Sequence, residues 1–198
     1  AAGVKGIDCL GFLPGSIKEH VSGIDKIDAC YVAETAGSII LAFRGTDGMP
    51  TKGQPFAQNL HAALDWLNNL KAEPIVAPGF PGKVHKGFHH SVTDLEQAGF
   101  VEDIRARLSH GKKQLVVTGY SKGAALAPLA SWLLRSRGIT VDEVHFYEPP
   151  RCGDADFAKA NKIDLSMRVH PGAAGGGESA TRDTGSEYSC FGVHLKDV

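Results

Sequence analysis

The chain has 198 residues and a formal net charge of −1 at pH 7. This length suits one domain that can bury a sizeable core. The near-neutral charge excludes a strong overall field that would attract nucleic acid or an anionic membrane, and no apolar run approaches the roughly 18 residues that span a bilayer. We therefore predict a single domain over residues 1–198 that binds no nucleic acid.

The sequence leaves the compartment and the state of the cysteines open. The N-terminus has neither the positive region nor the long apolar stretch of a signal peptide, although Ala1-Ala2-Gly3 resembles a mature end and slightly favours secretion over the cytoplasm. The four cysteines form no C-x-x-C pair and allow three disulfide connectivities or none. They are Cys9, Cys30, Cys152 and Cys190.

Hydrophobic periodicity predicts strands and helices that alternate along the chain. Residues 29–35 and 38–43 are typical of a hairpin, and the second of these strands, SIILAF, should be central because it carries little polarity. The further predicted elements are helices over 57–70, 90–108 and 124–134 and strands over 114–118 and 141–147. This order predicts an α/β fold, with a mostly parallel central sheet and helices on both faces.

The segment GYSKG joins the apolar strand at 114–118 to the helix at 124–134. Gly119 and Gly123 have no Cβ to obstruct the crossing, so Ser121 can occupy a strained, exposed position on a sharp turn. This is the G-x-S-x-G pattern of a nucleophile elbow. A serine hydroxyl becomes a nucleophile when a base and an orienting carboxylate assist it, and Ser121 is the predicted nucleophile.

An oxyanion hole requires two preorganised donors. The backbone N–H of Lys122, at the start of the helix, is the natural first donor. Thr46 supplies the second, through its backbone N–H together with its hydroxyl, because Gly45-Thr46 directly follows the central strand. The helix dipole disfavours a cation at this helix end, so we expect the Lys122 side chain to reach solvent or a nearby carboxylate.

Five blocks, in this order and rough spacing, resemble the class 3 lipases, the α/β-hydrolase lineage of the fungal triacylglycerol lipases and their bacterial relatives. The blocks are SIILAFRGT, DWLNNL, VHKGFHHSV, LVVTGYSKGAALAPLASWLL and FYEPPRCGDADFA. The resemblance implies an α/β-hydrolase fold, Ser-Asp-His hydrolysis of carboxylic esters, and neither cofactor nor metal. The Lys after the serine is similar to some bacterial members, and residues 48–70 correspond to the family's lid.

The order serine, acid, histidine leaves three candidates for the base. His194, in FGVHLKDV, resembles the family's C-terminal histidine and ranks first. His170 resembles a second histidine near the acid loop and is the reserve. His145 lies inside a predicted strand, and we interpret it as structural.

The acid is less well defined. NKIDL matches the family's acid loop and proposes Asp164, although it follows Phe157 too closely. If MRVHPGAA is instead the strand and loop that usually carry the aspartate, alanine occupies that place and the acid is Asp183 or Glu178. Glu148, at the end of the preceding strand, is a third alternative. Asp154 matches a structural turn or cap residue.

These patterns predict a serine ester hydrolase acting on a small-molecule or lipid ester, with a lipid–water interface as a further partner. A phospholipase or an acyltransferase would use the same machinery. The alternative from another class is a non-catalytic binding module whose acid loop has degenerated, which the alanines at 173 and 174 motivate. For His85, His89 and His90, surface or packing roles are favoured over a metal site because the spacing lacks a third ligand.

Overall fold

The computed structural model describes residues 11–23, 28–46, 73–147, 149–161 and 166–170. Their strands are β1 (Lys18–Ser22), β2 (Asp28–Glu34), β3 (Ser38–Phe43), β4 (Pro74–Ile75), β5 (Val84–His85), β6 (Gln114–Tyr120), β7 (Glu143–Tyr147) and β8 (Ser166–His170). Their helices are α1 (Lys86–Gln97), α2 (Phe100–Leu108), α3 (Lys122–Ser136) and α4 (Ala155–Ala160).

The main sheet has the strand order β1-β2-β3-β6-β7-β8. The first three strands pair antiparallel, whereas β3, β6, β7 and β8 run parallel. The parallel strands all end at one side of the sheet, which we call the carboxyl edge. Strand β2 begins at this edge because it runs antiparallel to β3. The predicted mostly parallel sheet with flanking helices, an α/β-hydrolase fold, is confirmed.

Alternate residues of the central strands form the core. The side chains at the centre of β3, β6 and β7 are at most 1 % exposed; they are Leu41, Val117, Val144 and Phe146. Helix α3 contacts β3, β6 and β7, and α1 packs on α3. Almost every residue of α3 is buried, down to Ala124 and Ala125 in its first turns, so the helix that follows the predicted elbow is fixed over the middle of the sheet.

The predicted hairpin, the strands at 114–118 and 141–147 and the helix at 124–134 are confirmed, with ends shifted by a few residues. The predicted helix at 90–108 is wrong in its extent. It begins at Lys86, capped by His85, and is divided by Gly99, whose φ of 95° is incompatible with a continuous helix. Strand β8 shows that MRVH is a strand.

Several predictions fall outside the described residues. These are the helix at 57–70, the lid segment 48–70, and the cysteines Cys9 and Cys190. Cys30 and Cys152 are both fully buried, and burial raises the pKa of the Cys30 thiol far above its usual range. Within the described ranges, no helix is both long and apolar enough to cross a membrane.

A buried polar cluster connects the outer strand β1 to helix α2. His20 of β1 is 4 % exposed, and its ring nitrogens lie 3.0 Å from the Ala98 carbonyl oxygen and 3.0 Å from Asp103 Oδ2. Arg107 Nε donates to Asp103 Oδ1 at 2.9 Å. Burial alone would raise the pKa of Asp103, but hydrogen bonds from Arg107 and His20 and the charges of Arg107 and Lys18 bring this pKa below its ordinary value.

We expect Asp103→Asn to lower the free energy of unfolding at pH 7 and to make this free energy depend less on pH in the acid range. Because the folded-state pKa of Asp103 is lowered from 3.8, its stabilisation is complete above that value and is lost as the pH falls through the folded-state pKa. Urea unfolding between pH 3 and pH 7 measures this. Glu73→Gln, which breaks an exposed pair with Lys86, is the control and should have little effect. Equal stability of Asp103→Asn and wild type at pH 7 would contradict the expectation.

Candidate active site

Ser121 lies at the junction of β6 and α3, on the carboxyl edge of the sheet. Its φ of 50° and ψ of −120° make it the one non-glycine residue with positive φ in the described part of the chain. Its N–H donates to the Tyr147 carbonyl at 3.0 Å, and its own carbonyl accepts from Ala124 at 2.9 Å. Such strained backbone persists only where the surroundings over-determine it, and it is concentrated at functional sites. The backbone therefore has the geometry of the predicted elbow.

The elbow closes through contacts that only glycine allows. A Cβ on Gly119 would overlap the carbonyl group of Gly123. A Cβ on Gly123 would overlap the carbonyl group of Phe43 and lie 2.9 Å from the Arg44 carbonyl oxygen. The first turn of α3 thus lies directly against the end of β3, and the loop after β3 lies beside Ser121.

The predicted exposure of Ser121 is wrong: the residue is only 2 % exposed. Gly45, in the loop after β3, packs so closely that a Cβ there would lie 3.8 Å from Ser121 Cβ and 3.0 Å from the Tyr120 carbonyl oxygen. Within the described residues, neither Ser121 Oγ nor Thr46 Oγ1 has a hydrogen-bond partner, although both atoms are buried. Unpaired buried hydroxyls are costly, and these two lie on the elbow and on the loop that packs against it, where a bound group could accept or donate a hydrogen bond.

The two predicted oxyanion donors lie on elements that the structure brings together. Lys122 is the first residue of α3, and the first N–H groups of a helix have no partner inside the helix. The helix dipole adds partial positive charge at the same point. Thr46 follows Gly45, which contacts the elbow. The arrangement can therefore stabilise negative charge that develops beside Ser121 Oγ.

The Lys122 side chain turns away from solvent. Lys122 is 8 % exposed, and its Nζ lies 2.5 Å from Oδ1 of Asp28, the first residue of β2. We expected this side chain to reach either solvent or a carboxylate, and it reaches a carboxylate. No motif in the sequence identifies Asp28 as this partner. Its only sequence signal is a carboxylate at the start of a strand whose next residues, Ala29 and Cys30, are apolar.

Of the three histidines considered as the base, the structure describes His145 and the backbone of His170. His194 lies outside the described residues. His170 ends β8, and its backbone pairs with that of Tyr147, which in turn pairs with Tyr120. This register places His170 at the carboxyl edge, about 10 Å from Tyr120 between backbones. His145 Nε2 lies 2.7 Å from Glu143 Oε2 on the same strand, in agreement with its structural interpretation.

The predicted acids Asp164, Glu178, Asp183 and Glu148 also lie outside the described residues. Their sequence positions relative to the strands nevertheless differ. Asp164 precedes β8, whose first residue Ser166 pairs with Glu143 at the start of β7. The other three follow the ends of β7 or β8, as Ser121 follows the end of β6. Asp154 is confirmed as a cap residue, since it accepts from the Phe157 N–H at 2.9 Å.

Two of the three histidines near Gly87, His85 and His89, have packing roles, and His90 is exposed. His85 caps α1 by accepting from the Phe88 N–H at 3.3 Å and stacks on the Phe88 ring. His89 packs edge-on against Phe80, with ring centroids 5.2 Å apart, and burial lowers its pKa. Among the described residues, no group of three or more potential ligands could hold a metal ion.

We expect Gly123→Ala to destabilise the fold by about 1–3 kcal/mol, because the added Cβ must displace the end of β3. Chemical denaturation measures the free energy of unfolding. The matched control is Gly37→Ala, since a Cβ at Gly37 would have no atom within 4 Å. Equal effects of the two substitutions would contradict the close approach of α3 to β3.

The comparisons with known proteins agree with this geometry. The family model described as lipase (class 3) matches residues 40–171, more than half of the chain. No curated protein matches the sequence.

Solved structures of lipases share the fold. A fungal lipase in complex with an inhibitor is 23 % identical over 81 % of this chain and 57 % of its own, with a TM-score of 0.63. A triacylglycerol lipase whose catalytic centre is a serine protease triad is 22 % identical with the same coverage and a TM-score of 0.64. The Rhizomucor miehei lipase in its propeptide complex is 24 % identical over 78 % of this chain and 49 % of its own, with a TM-score of 0.59.

This chain therefore spans less than two thirds of the length of these lipases. Their fungal character does not bear out the expected similarity to bacterial members. The family match and the elbow geometry together lead to one conclusion: the chain belongs to the class 3 lipases.

Proposed function

We propose that this chain is a serine carboxylic-ester hydrolase that works through an acyl-enzyme on Ser121. The observation that carries the proposal is the buried Ser121 hydroxyl on a bend with φ of 50°, for which the described residues supply no hydrogen-bond partner. The Thr46 hydroxyl, on the loop whose Gly45 packs against the elbow, has no partner among the described residues either. The serine protease triad of one structural neighbour supports the same chemistry.

In the proposed reaction, Ser121 Oγ attacks the ester carbonyl while His194 accepts its proton. The carbonyl oxygen becomes an oxyanion that accepts hydrogen bonds from Lys122 N–H and from Thr46. Collapse of the intermediate expels the alcohol, which takes the proton from His194. Water then attacks the acyl-enzyme by the same route and releases the acid. His170 is the reserve base, and its position at the carboxyl edge supports keeping it.

The direction of β8 affects the proposal for the acid. Asp164 is the residue proposed by the sequence motif, but it precedes β8, and that strand is about 13 Å long from Ser166 to His170. The chain leaves β7 and β8 at the edge where Ser121 lies, whereas it enters β8 at the opposite edge. The strand direction thus favours Asp183, Glu178 or Glu148 over Asp164, and we propose that the four be compared directly.

The proposed substrate is an acylglycerol or a simpler carboxylic ester. The triacylglycerol lipase among the structural neighbours supports the acylglycerol, and the fungal lipase–inhibitor complex, a model for interfacial activation, supports a lipid–water interface. Residues 48–70 are the proposed lid. A phospholipase or an acyltransferase would use the same Ser121 site with a different ester or acceptor.

A non-catalytic binding module is the second candidate. It is favoured by the alanines at 173 and 174, which follow β8 where the family usually has its aspartate. Reactivity at Ser121 distinguishes the two candidates, because a module with a degenerate triad has no activated serine.

We expect a fluorophosphonate to form one adduct per chain on Ser121, detected by mass spectrometry. Ser121→Ala should form none, and His194→Ala should react far more slowly. Hydrolysis of a soluble aryl ester should fall by roughly 10⁴-fold or more in both variants. An unmodified wild-type serine at every pH tested would favour the binding module.

We expect one of four acid variants to lose roughly 10²- to 10⁴-fold in kcat while the others stay near wild type. The variants are Asp164→Asn, Asp183→Asn, Glu178→Gln and Glu148→Gln. The measurement is kcat for a soluble aryl ester together with circular dichroism as a check of folding. Full activity of Asp164→Asn would exclude Asp164 as the acid. A loss of kcat in Asp164→Asn alone would instead exclude the three carboxylates that follow β7 or β8.

A further inference from the structure

The ion pair between Lys122 and Asp28 lies at the proposed oxyanion hole but belongs to no assigned role. The Lys122 and Asp28 side chains are 10 % and 9 % exposed, with Nζ and Oδ1 2.5 Å apart. Taking two charges out of water costs free energy that their attraction only partly offsets, so a buried pair is weak evidence for stability. Its position therefore requires another explanation.

The register of the sheet shows what the pair connects. Cys30 of β2 is level with Phe43 of β3, and Arg44 N–H donates to the Ala29 carbonyl at 3.0 Å. Asp28 is thus next to the Gly45 position of the loop after β3. On the other side of β3, Phe43 is level with Gly119 of β6. The ion pair runs from the elbow to β2 across the end of β3, which leads into Thr46.

The residue that makes this contact is also the one whose backbone donates to the oxyanion. Lys122 follows Ser121, whose φ of 50° must be held by its surroundings. Anchoring the Lys122 side chain to β2 restrains the rotation of the peptide group between Ser121 and Lys122. It also holds the elbow against the strand end that leads into Thr46.

We propose that Asp28 is a positioning residue that acts through the Lys122 side chain. It keeps the Lys122 N–H and the Thr46 loop aligned on the oxyanion of the transition state. This inference rests on the proposed ester-hydrolase function. It also assigns the Lys122 ammonium to structure, because a lysine held by Asp28 is not available as the base for Ser121.

The chain contains a matched control pair. Lys113 Nζ lies 2.8 Å from Glu34 Oε1, with side chains 18 % and 19 % exposed. Glu34 ends β2 and Lys113 immediately precedes β6, so this pair also connects β2 to β6 across β3. It does so at the opposite edge of the sheet, away from Ser121, and Glu34 has a second partner there in Arg107, whose Nη1 lies 3.4 Å from Glu34 Oε2.

The experiment compares Asp28→Asn, Lys122→Met and the double variant with Glu34→Gln. The substrate is a soluble aryl ester, and the probe is a fluorophosphonate whose phosphoryl oxygen occupies the oxyanion position. We expect kcat and the rate of Ser121 phosphonylation to fall by about tenfold or more in each Asp28 and Lys122 variant, with KM within about twofold. Glu34→Gln should keep both rates within about twofold of wild type.

The double variant keeps the test decisive, since it leaves no unpaired buried charge where a single variant would fail to fold. We expect it to fold and still lose kcat, and Asp28→Glu to recover part of the lost rate. A folded double variant with wild-type kcat, or an equal loss in Glu34→Gln, would overturn the positioning role. A wild-type chain that never reacts with the probe would instead overturn the proposed function, and the positioning role with it.

Discussion

The direct contact between the first turn of α3 and the end of β3 is the constraint on which the site depends. A Cβ on Gly123 would overlap the Phe43 carbonyl group, so the two backbones approach as closely as backbone atoms allow. This approach puts the N-terminus of a buried 15-residue helix beside the Gly45-Thr46 loop. Both proposed oxyanion donors and the Ser121 hydroxyl are consequently close together before any substrate binds.

The rest of the fold holds this contact in place. Ser121 has an unfavourable backbone conformation, and the elbow is stabilised by the hydrogen bond from its N–H to the Tyr147 carbonyl. Helix α3 buries nearly all of its length against β3, β6 and β7. The ion pair of Lys122 with Asp28 adds a contact from the elbow to β2. The strain at one residue is thus offset by packing spread over three strands.

The charge distribution at the carboxyl edge is consistent with acyl transfer. The Lys122 ammonium is matched by a carboxylate, so the donors of the proposed oxyanion hole are the Lys122 N–H at the start of the helix and Thr46 rather than this ammonium. Such donors are fixed in direction and need no rearrangement as charge develops. A free ammonium in the same place would bind anions in the ground state as well, which accelerates nothing.

The sequence by itself determined the hairpin of β2 and β3, the strands β6 and β7, the helix α3, their order and the elbow. It also determined the residue types proposed for the nucleophile and the oxyanion donors. These features are local: the pattern of apolar residues sets β6 and α3, and two glycines flank Ser121. Only the tertiary structure decided that Gly99 divides a helix, that Ser121 is buried, and that Asp28 is the partner of Lys122. Asp28 and Lys122 are far apart in sequence, and no local pattern records a contact that depends on strand order and register.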